Sequence, residues 1–312
     1  MSDVQKNCPL TSVEAIDTIE ELAGVFPAYR RAHAKGIGFD ATFSPNGGAA
    51  PYTTASHLLQ NKTSAIVRFS HSTPNPDPTE QFVPVKGMSV QFQLPEGAVT
   101  NLTMVTVPVF ITKTPEEFIQ LLQAVKGDKL SFTERLSTLK NNPNFHAASK
   151  ILKNSIPPKS FATERYYSIH AYYLVNENKQ RQAVKFEWEP TDSSKNPSRI
   201  STLSNKGNAM EDELVNRLKN GPIRFNLMIQ LAQPGDSIND STQEWPDNRE
   251  KICIGELSIL ERRSDNAEPH VFDPTVVTDG LQCSDDPVLL FRRAAYAESA
   301  KRRHRFVELM DE

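Results

Sequence analysis

Short segments rich in Val, Ile, Phe and Thr recur along this chain at 64–71, 83–93 and 101–111, separated by Pro, Asn and Gly. That punctuation predicts strands. Residues 166–175 and 182–188 read as a hairpin joined by the polar turn Asn176-Glu177-Asn178-Lys179, and 222–232 and 251–260 supply two further strands. Strands outnumber βαβ alternations, which points to an antiparallel barrel or sandwich decorated by helices, an α+β fold. Thr114-Pro115-Glu116-Glu117 forms a capping box with proline at the first helical position, and Phe118, Leu121, Leu122 and Val125 follow at helical spacing before Gly127. Residues 11–33 also read as helical, and Gly36, Gly38 and the loop Ser44-Pro45-Asn46-Gly47-Gly48 then read as a connector. The Pro- and Asn-rich stretches 141–145 and 190–206 are too short for domain linkers, so 1–312 is expected to form a single domain.

Composition narrows the function classes. Hydrophobic residues at 38% and charged residues at 23% are those of a soluble globular protein with a substantial core. No apolar run approaches the roughly 20 residues of a membrane span, and the start MSDVQKNCPL lacks a basic segment followed by an apolar one, so no membrane association or secretory signal is expected. A net charge of -3 offers no basic field for nucleic acid. Cys8, Cys253 and Cys283 are not closely spaced and read as ordinary thiols in a reducing, cytoplasmic setting. His57, His71, His146, His270 and His304 lack metal-site spacing, and Trp188 and Trp245 read as packing residues. Lys301-Arg302-Arg303-His304-Arg305 reads, Arg303 apart, as a solvated helix end suited to the helix dipole.

The last helix is the most informative segment. Ser284 ahead of Asp285, Asp286 and Pro287 marks its start, and it is expected to run to about residue 307. At roughly 100° per residue, Leu289, Arg292, Tyr296, Ser299 and Arg303 share one stripe, so a tyrosine lies between two guanidinium groups. On an exposed face these arginines are only solvated charges; facing a pocket, they imply something anionic inside it. A nearby Arg292 favours the phenolate of Tyr296. A phenolate is a hard ligand for ferric iron, and arginine is the natural partner of haem propionates, so the stripe also reads as a proximal haem helix. The stretch Arg30-Arg31-Ala32-His33-Ala34-Lys35-Gly36 is ambiguous, because a histidine in such surroundings is usually a hydrogen-bonded loop or core residue and only sometimes an acid–base catalyst.

Taken in order, PAYRRAHAKGIGF, VRFS, PVFITKTPEEF and DPVLLFRRAAYAESAKRR resemble the haem catalase superfamily from about Pro27 to Arg305. The resemblance implies a catalase-like antiparallel β-barrel with surrounding helices and a C-terminal proximal haem helix. It also implies a haem cofactor, with haem b the expected form. By the same carry-over His33 is the distal catalytic histidine, oriented by Ser70. Arg30, Arg68 and Arg303 are propionate contacts, and Phe110 and Phe118 line the distal side and stack on the haem. Tyr296 is the axial iron ligand and Arg292 its charge partner, held by His170 and Asp286. DSTQEWP, residues 240–246, resembles a family segment near the end of the barrel.

Two departures bear on the reaction. Val105 occupies the position of the distal asparagine of true catalases, with Thr106 beside it as a partial substitute. The threading arm and C-terminal regions of large catalases have no counterpart, so the small catalase-related peroxidases match best, and a monomer or homodimer with a more open pocket is expected. The implied activity is reduction of hydrogen peroxide or small organic peroxides at the expense of a small organic electron donor, with weak catalase activity. Two alternatives are conversion of a lipid hydroperoxide, as in catalase-like allene oxide synthases, and non-enzymatic haem carriage.

Overall fold

Ten antiparallel strands form one sheet in a computed structural model that describes residues 9–59, 62–78, 83, 85–126, 160–192 and 208–311. They are β1 (Gly36–Pro45), β2 (Thr63–His71), β3 (Lys86–Gln93), β4 (Val99–Val105), β5 (Tyr166–Tyr167), β6 (Tyr172–Val175), β7 (Arg181–Pro190), β8 (Ile223–Leu231), β9 (Lys251–Arg262) and β10 (Leu281–Cys283). The order β10-β6-β7-β5-β4-β3-β2-β1-β9-β8 closes through β7–β8, so eight strands form a barrel and β6 and β10 extend it. The helices among the described residues are α1 (Ser12–Ala23), α2 (Ser56–Leu59), α3 (Pro115–Lys126), α4 (Ala209–Leu218) and α5 (Pro287–Asp311).

Period-two burial builds the core. In β8, Ile223, Phe225, Leu227, Ile229 and Leu231 are buried and the residues between them are not. Phe39, Phe43, Phe69, Phe92, Trp188 and Phe225 fill the barrel through tilted and edge-to-face ring contacts, each fully buried ring contributing about 1.5–3 kcal/mol. The strand β2 is buried on both faces. Its odd-numbered residues Ala65, Val67 and Phe69 join the main core, whereas Ile66 packs outside the barrel with Ala267 and Phe272. Arg68 and Ser70 share the outer face with Ile66, because side chains two apart in a strand point the same way.

Several expectations are corrected. The connector expected from Gly36 is the ten-residue strand β1, paired with both β2 and β9. Its glycines are there for close approach, since a Cβ at Gly36 would lie 2.6 Å from the Arg68 guanidinium carbon. The helix expected over 11–33 is α1, closed at its start by a Thr11–Glu14 capping box and ended by Gly24 at φ +91°. The segment 101–111 leaves the ladder after Val105, and Phe110 N–H instead donates to the Ser241 carbonyl at 2.8 Å. The strand expected over 166–175 is split into β5 and β6, because the Ser168 hydroxyl accepts from Phe186 N–H and donates to the His170 carbonyl, bending the chain between them. Asp286, rather than Ser284, caps α5 by accepting from the backbone of Val288 and Leu289. The segment 141–145, most of 190–206, Cys8 and His146 lie outside the described residues.

The helix α1 ties the two ends of the chain together. Arg302 of α5 donates to Asp17, Glu20 and Glu298, while the other oxygen of Glu20 accepts from Arg31 Nε at 2.5 Å. The Arg31 backbone N–H also donates to Ser299 Oγ. The loop before β1 is thereby held against α5.

Candidate active site

The site grows out of one cross-strand row on the outside of the barrel. Gly36, Ser70, Gly87, Val105 and Tyr167 are successive pairing partners across β1 to β5, and directly opposed residues project to the same face. His33 sits above this row, its Nδ1 2.9 Å from Ser70 Oγ. A Cβ at Gly87 would come within 2.9 Å of the imidazole and 2.8 Å of Ser70 Oγ, so glycine there makes room for the ring. His33 itself holds φ +55°, a left-handed conformation uncommon outside glycine. Its carbonyl accepts from Arg68 Nη1 at 3.0 Å, which fixes the strained turn. Val105 belongs to the same row, while the Thr106 hydroxyl accepts from the Lys86 backbone.

The stripe of α5 turns inward. Leu289 and Arg303 are buried and Arg292, Tyr296 and Ser299 partly so, whereas Arg293, Ala294, Ala297 and Lys301 are exposed. Arg292 Nη2 donates to Tyr296 Oη at 2.5 Å, a charge-assisted bond. Burial opposes the charge of Arg292, but Tyr296, together with Tyr172 and Asp273, outweighs it and leaves the guanidinium pKa raised. His170 and Asp286, expected to hold Arg292, bond instead to each other at 2.8 Å, and His170 Nε2 has no hydrogen-bond partner among the described residues.

Arg30 and Arg68 lie near enough to His33 for their charges to act on it, and Arg303 lies near enough to act on Arg30. Arg30 donates to the Glu268 carboxylate at 2.6 Å and to the carbonyls of Ala267, Glu268 and His270. Arg68 reaches the same carboxylate at 2.7 Å and the carbonyls of His33 and Ala34. Glu268 was not evident from the sequence, since 200 residues separate it from Arg68. Arg303 is buried, and its Nη2 has no hydrogen-bond partner among the described residues. Burial first, and then the charges of Arg68 and Arg303, lower the Arg30 pKa to about 9 in spite of Glu268. The cluster is short of negative charge. Phe110 and Phe118 lie together, ring centroids 5.3 Å apart and tilted by 39°.

Electrostatics connect these parts. Burial, then the charges of Arg68, Arg292, His71 and Arg30, depress the His33 pKa to about 3. The charges of Arg292 on α5 and of Arg30 and Arg68 on the other wall thus all act on His33. An imidazole so placed stays neutral and able to accept a proton throughout the physiological range.

Burial also lowers His57 to about 4, and His170 to about 4 against the opposing hydrogen bond of Asp286. A histidine whose folded pKa lies below its unfolded value near 6.5 binds fewer protons when folded, so stability is full above about pH 6.5 and falls as pH drops toward 4. His57 alone accounts for about 3 kcal/mol of that loss. Denaturant titrations at stepped pH are expected to show the His57→Phe variant losing less stability than the parent between pH 6.5 and 4; parallel curves would contradict this.

A family model described as catalase matches residues 9–308. The chain is 34% identical over 300 residues to a catalase-related peroxidase of Mycolicibacterium paratuberculosis, covering 94% of this chain and 95% of that protein. It is 28% identical over 303 residues to a catalase-related peroxidase of Synechococcus elongatus, covering 95% of this chain and 89% of that one. Among solved structures, a fungal catalase superposes with a TM-score of 0.77 and catalase A of Saccharomyces cerevisiae with 0.76, both at 18% identity and over 97% of this chain. The chain spans 65% and 67% of those two proteins.

Proposed function

The chain belongs to the catalase family, and from that footing we propose that it is a haem-dependent peroxidase reducing hydrogen peroxide or small organic peroxides at the expense of a small organic donor. The observation that carries the reading is the Arg292–Tyr296 bond on the inward stripe of α5, near enough to the His33–Ser70 pair for the Arg292 charge to act on His33, and we take the space between them as the cleft. The polar groups fit haem. Arg30 and Arg68 share the one carboxylate of Glu268, and the Arg303 Nη2 has no hydrogen-bond partner among the described residues, as suits a seat for a group with two carboxylates. Tyr296 is the oxygen ligand the cleft offers to iron.

Haem, when bound, supplies the redox-active iron at which a peroxide is reduced. The chain's own residues move the proton. With Nδ1 engaged by Ser70, Nε2 is the ring atom left to face a peroxide, and the tautomer that donates from Nδ1 to Ser70 Oγ leaves Nε2 as an acceptor. His33 takes a proton from one peroxide oxygen and returns it to the other, so that the leaving oxygen departs as water. Its neutrality at ordinary pH supports the base role. Arg292 donates to the Tyr296 oxygen and holds it in place as a ligand.

Val105 sets the balance between donors. A true catalase oxidises a second hydrogen peroxide, and an apolar side chain in the His33 row offers that small molecule no hydrogen bond. Organic donors, which need no such anchor, compete better. The Val105→Asn variant is expected to raise oxygen release relative to phenol oxidation severalfold, read by an oxygen electrode and phenol absorbance together. An unchanged ratio would remove Val105 from the account.

A further inference from the structure

Glu268 joins Arg30 to Arg68. Its Oε2 accepts from Arg30 Nη1 at 2.6 Å, and its Oε1 accepts from Arg68 Nη2 at 2.7 Å and Nε at 3.1 Å. The two residues before it, Asn266 and Ala267, both hold left-handed backbone, with φ of +49° and +58°. Side chains rarely tolerate that conformation, and two in succession mark a turn whose shape is imposed by what it delivers. Gly38 provides the seat, because a Cβ there would lie 2.5 Å from the Asn266 carbonyl carbon and 2.6 Å from the Ala267 nitrogen. The delivered carboxylate stays partly exposed at the edge of the cleft, while both guanidiniums beneath it are largely covered.

The count of charges is specific. Among the described residues, the guanidiniums of Arg30, Arg68 and Arg303 less the carboxylate of Glu268 leave two positive charges, equal and opposite to the two carboxylates of a haem. Neither Arg30 nor Arg68 depends on Glu268 for its place, since backbone carbonyls also hold each of them. What Glu268 adds is negative charge. We propose that Glu268 sets the charge of the carboxylate seat, holding the haem-free arginine cluster together while limiting how tightly the carboxylates of haem are gripped. This rests on the haem reading of the cleft. A mere brace, when altered, weakens the fold and the cofactor's hold together; a charge-setting group moves them in opposite directions.

The test compares full-length wild type, E268Q and E268D, each loaded with haem or with haem dimethyl ester, by the rate of cofactor transfer to an excess of a haem-scavenging apoprotein. Thermal unfolding of each haem-free chain is measured beside it. E268Q is expected to unfold at lower temperature when haem-free, yet to lose haem more slowly, by about fivefold, because a nearby like charge is gone. The ester, which carries no carboxylates, is expected to leave E268Q and wild type at equal rates, and E268D, which keeps the charge, to retain wild-type haem loss. E268Q losing haem as fast as wild type or faster, or E268D altering haem loss as much as E268Q does, overturns this proposal alone. Wild-type protein that binds neither haem nor its ester overturns the haem reading and this proposal with it.

Discussion

The Tyr296→Phe variant is expected to fold and to lose its hold on haem, with affinity reduced about a hundredfold or more, the scale on which metal ligation and its supporting bonds act. The ring and its packing on α5 are kept, and only the oxygen that accepts from Arg292 at 2.5 Å is removed. Two effects add. On the proposed reading the iron loses its protein ligand, and the partly buried Arg292 loses an oxygen that helps to offset the cost of its burial. Absorbance titration of the haem-free variant with haem reads the first effect, and a lowered unfolding midpoint reads the second. A variant with the parental spectrum and affinity would remove Tyr296 as the ligand, whatever the family resemblance implies.

The complementary variant, His33→Ala, is expected to keep haem and to lose peroxide turnover by about a hundredfold to ten-thousandfold, the contribution of a well-placed general acid–base group. The loss should fall on kcat/KM for peroxide and spare the donor step. Ser70→Ala leaves the ring in place and removes only its partner at Nδ1, so a smaller loss is expected. Because the His33 pKa lies near 3, kcat/KM of the parent should not fall between pH 8 and pH 5 through protonation of this group. Steady-state peroxide consumption across pH reads both expectations. Full activity in the alanine variant would remove His33 as the acid–base group.

The sequence made the pieces of this site visible for local reasons and hid their assembly for non-local ones. The stripe Arg292–Tyr296–Arg303 is legible because α5 repeats every three to four residues, and the structure turns that stripe inward. The helix α3 is legible from Thr114, whose hydroxyl accepts from Glu117 N–H, although the Glu117 carboxylate reaches back to Lys113 N–H rather than to the cap itself. By contrast β1 was hidden by Gly36 and Gly38, residues that usually punctuate turns and here admit Arg68 and the 266–267 turn. The row that seats His33 depends on register across five strands, and Glu268 depends on a turn delivered from the far end of β9. Neither has a local signature. The strand break at Ser168 was likewise set by a side-chain bond to a neighbouring strand.

Whether this protein is a peroxidase is decided by the ratio of oxygen released to hydrogen peroxide consumed by the haem-loaded protein, measured with and without an oxidisable phenol. A ratio well below that of disproportionation is expected when phenol is present, with phenol oxidised in step with the shortfall. A ratio of roughly one half, the disproportionation value, that phenol does not lower would contradict it and make the protein a catalase in spite of Val105.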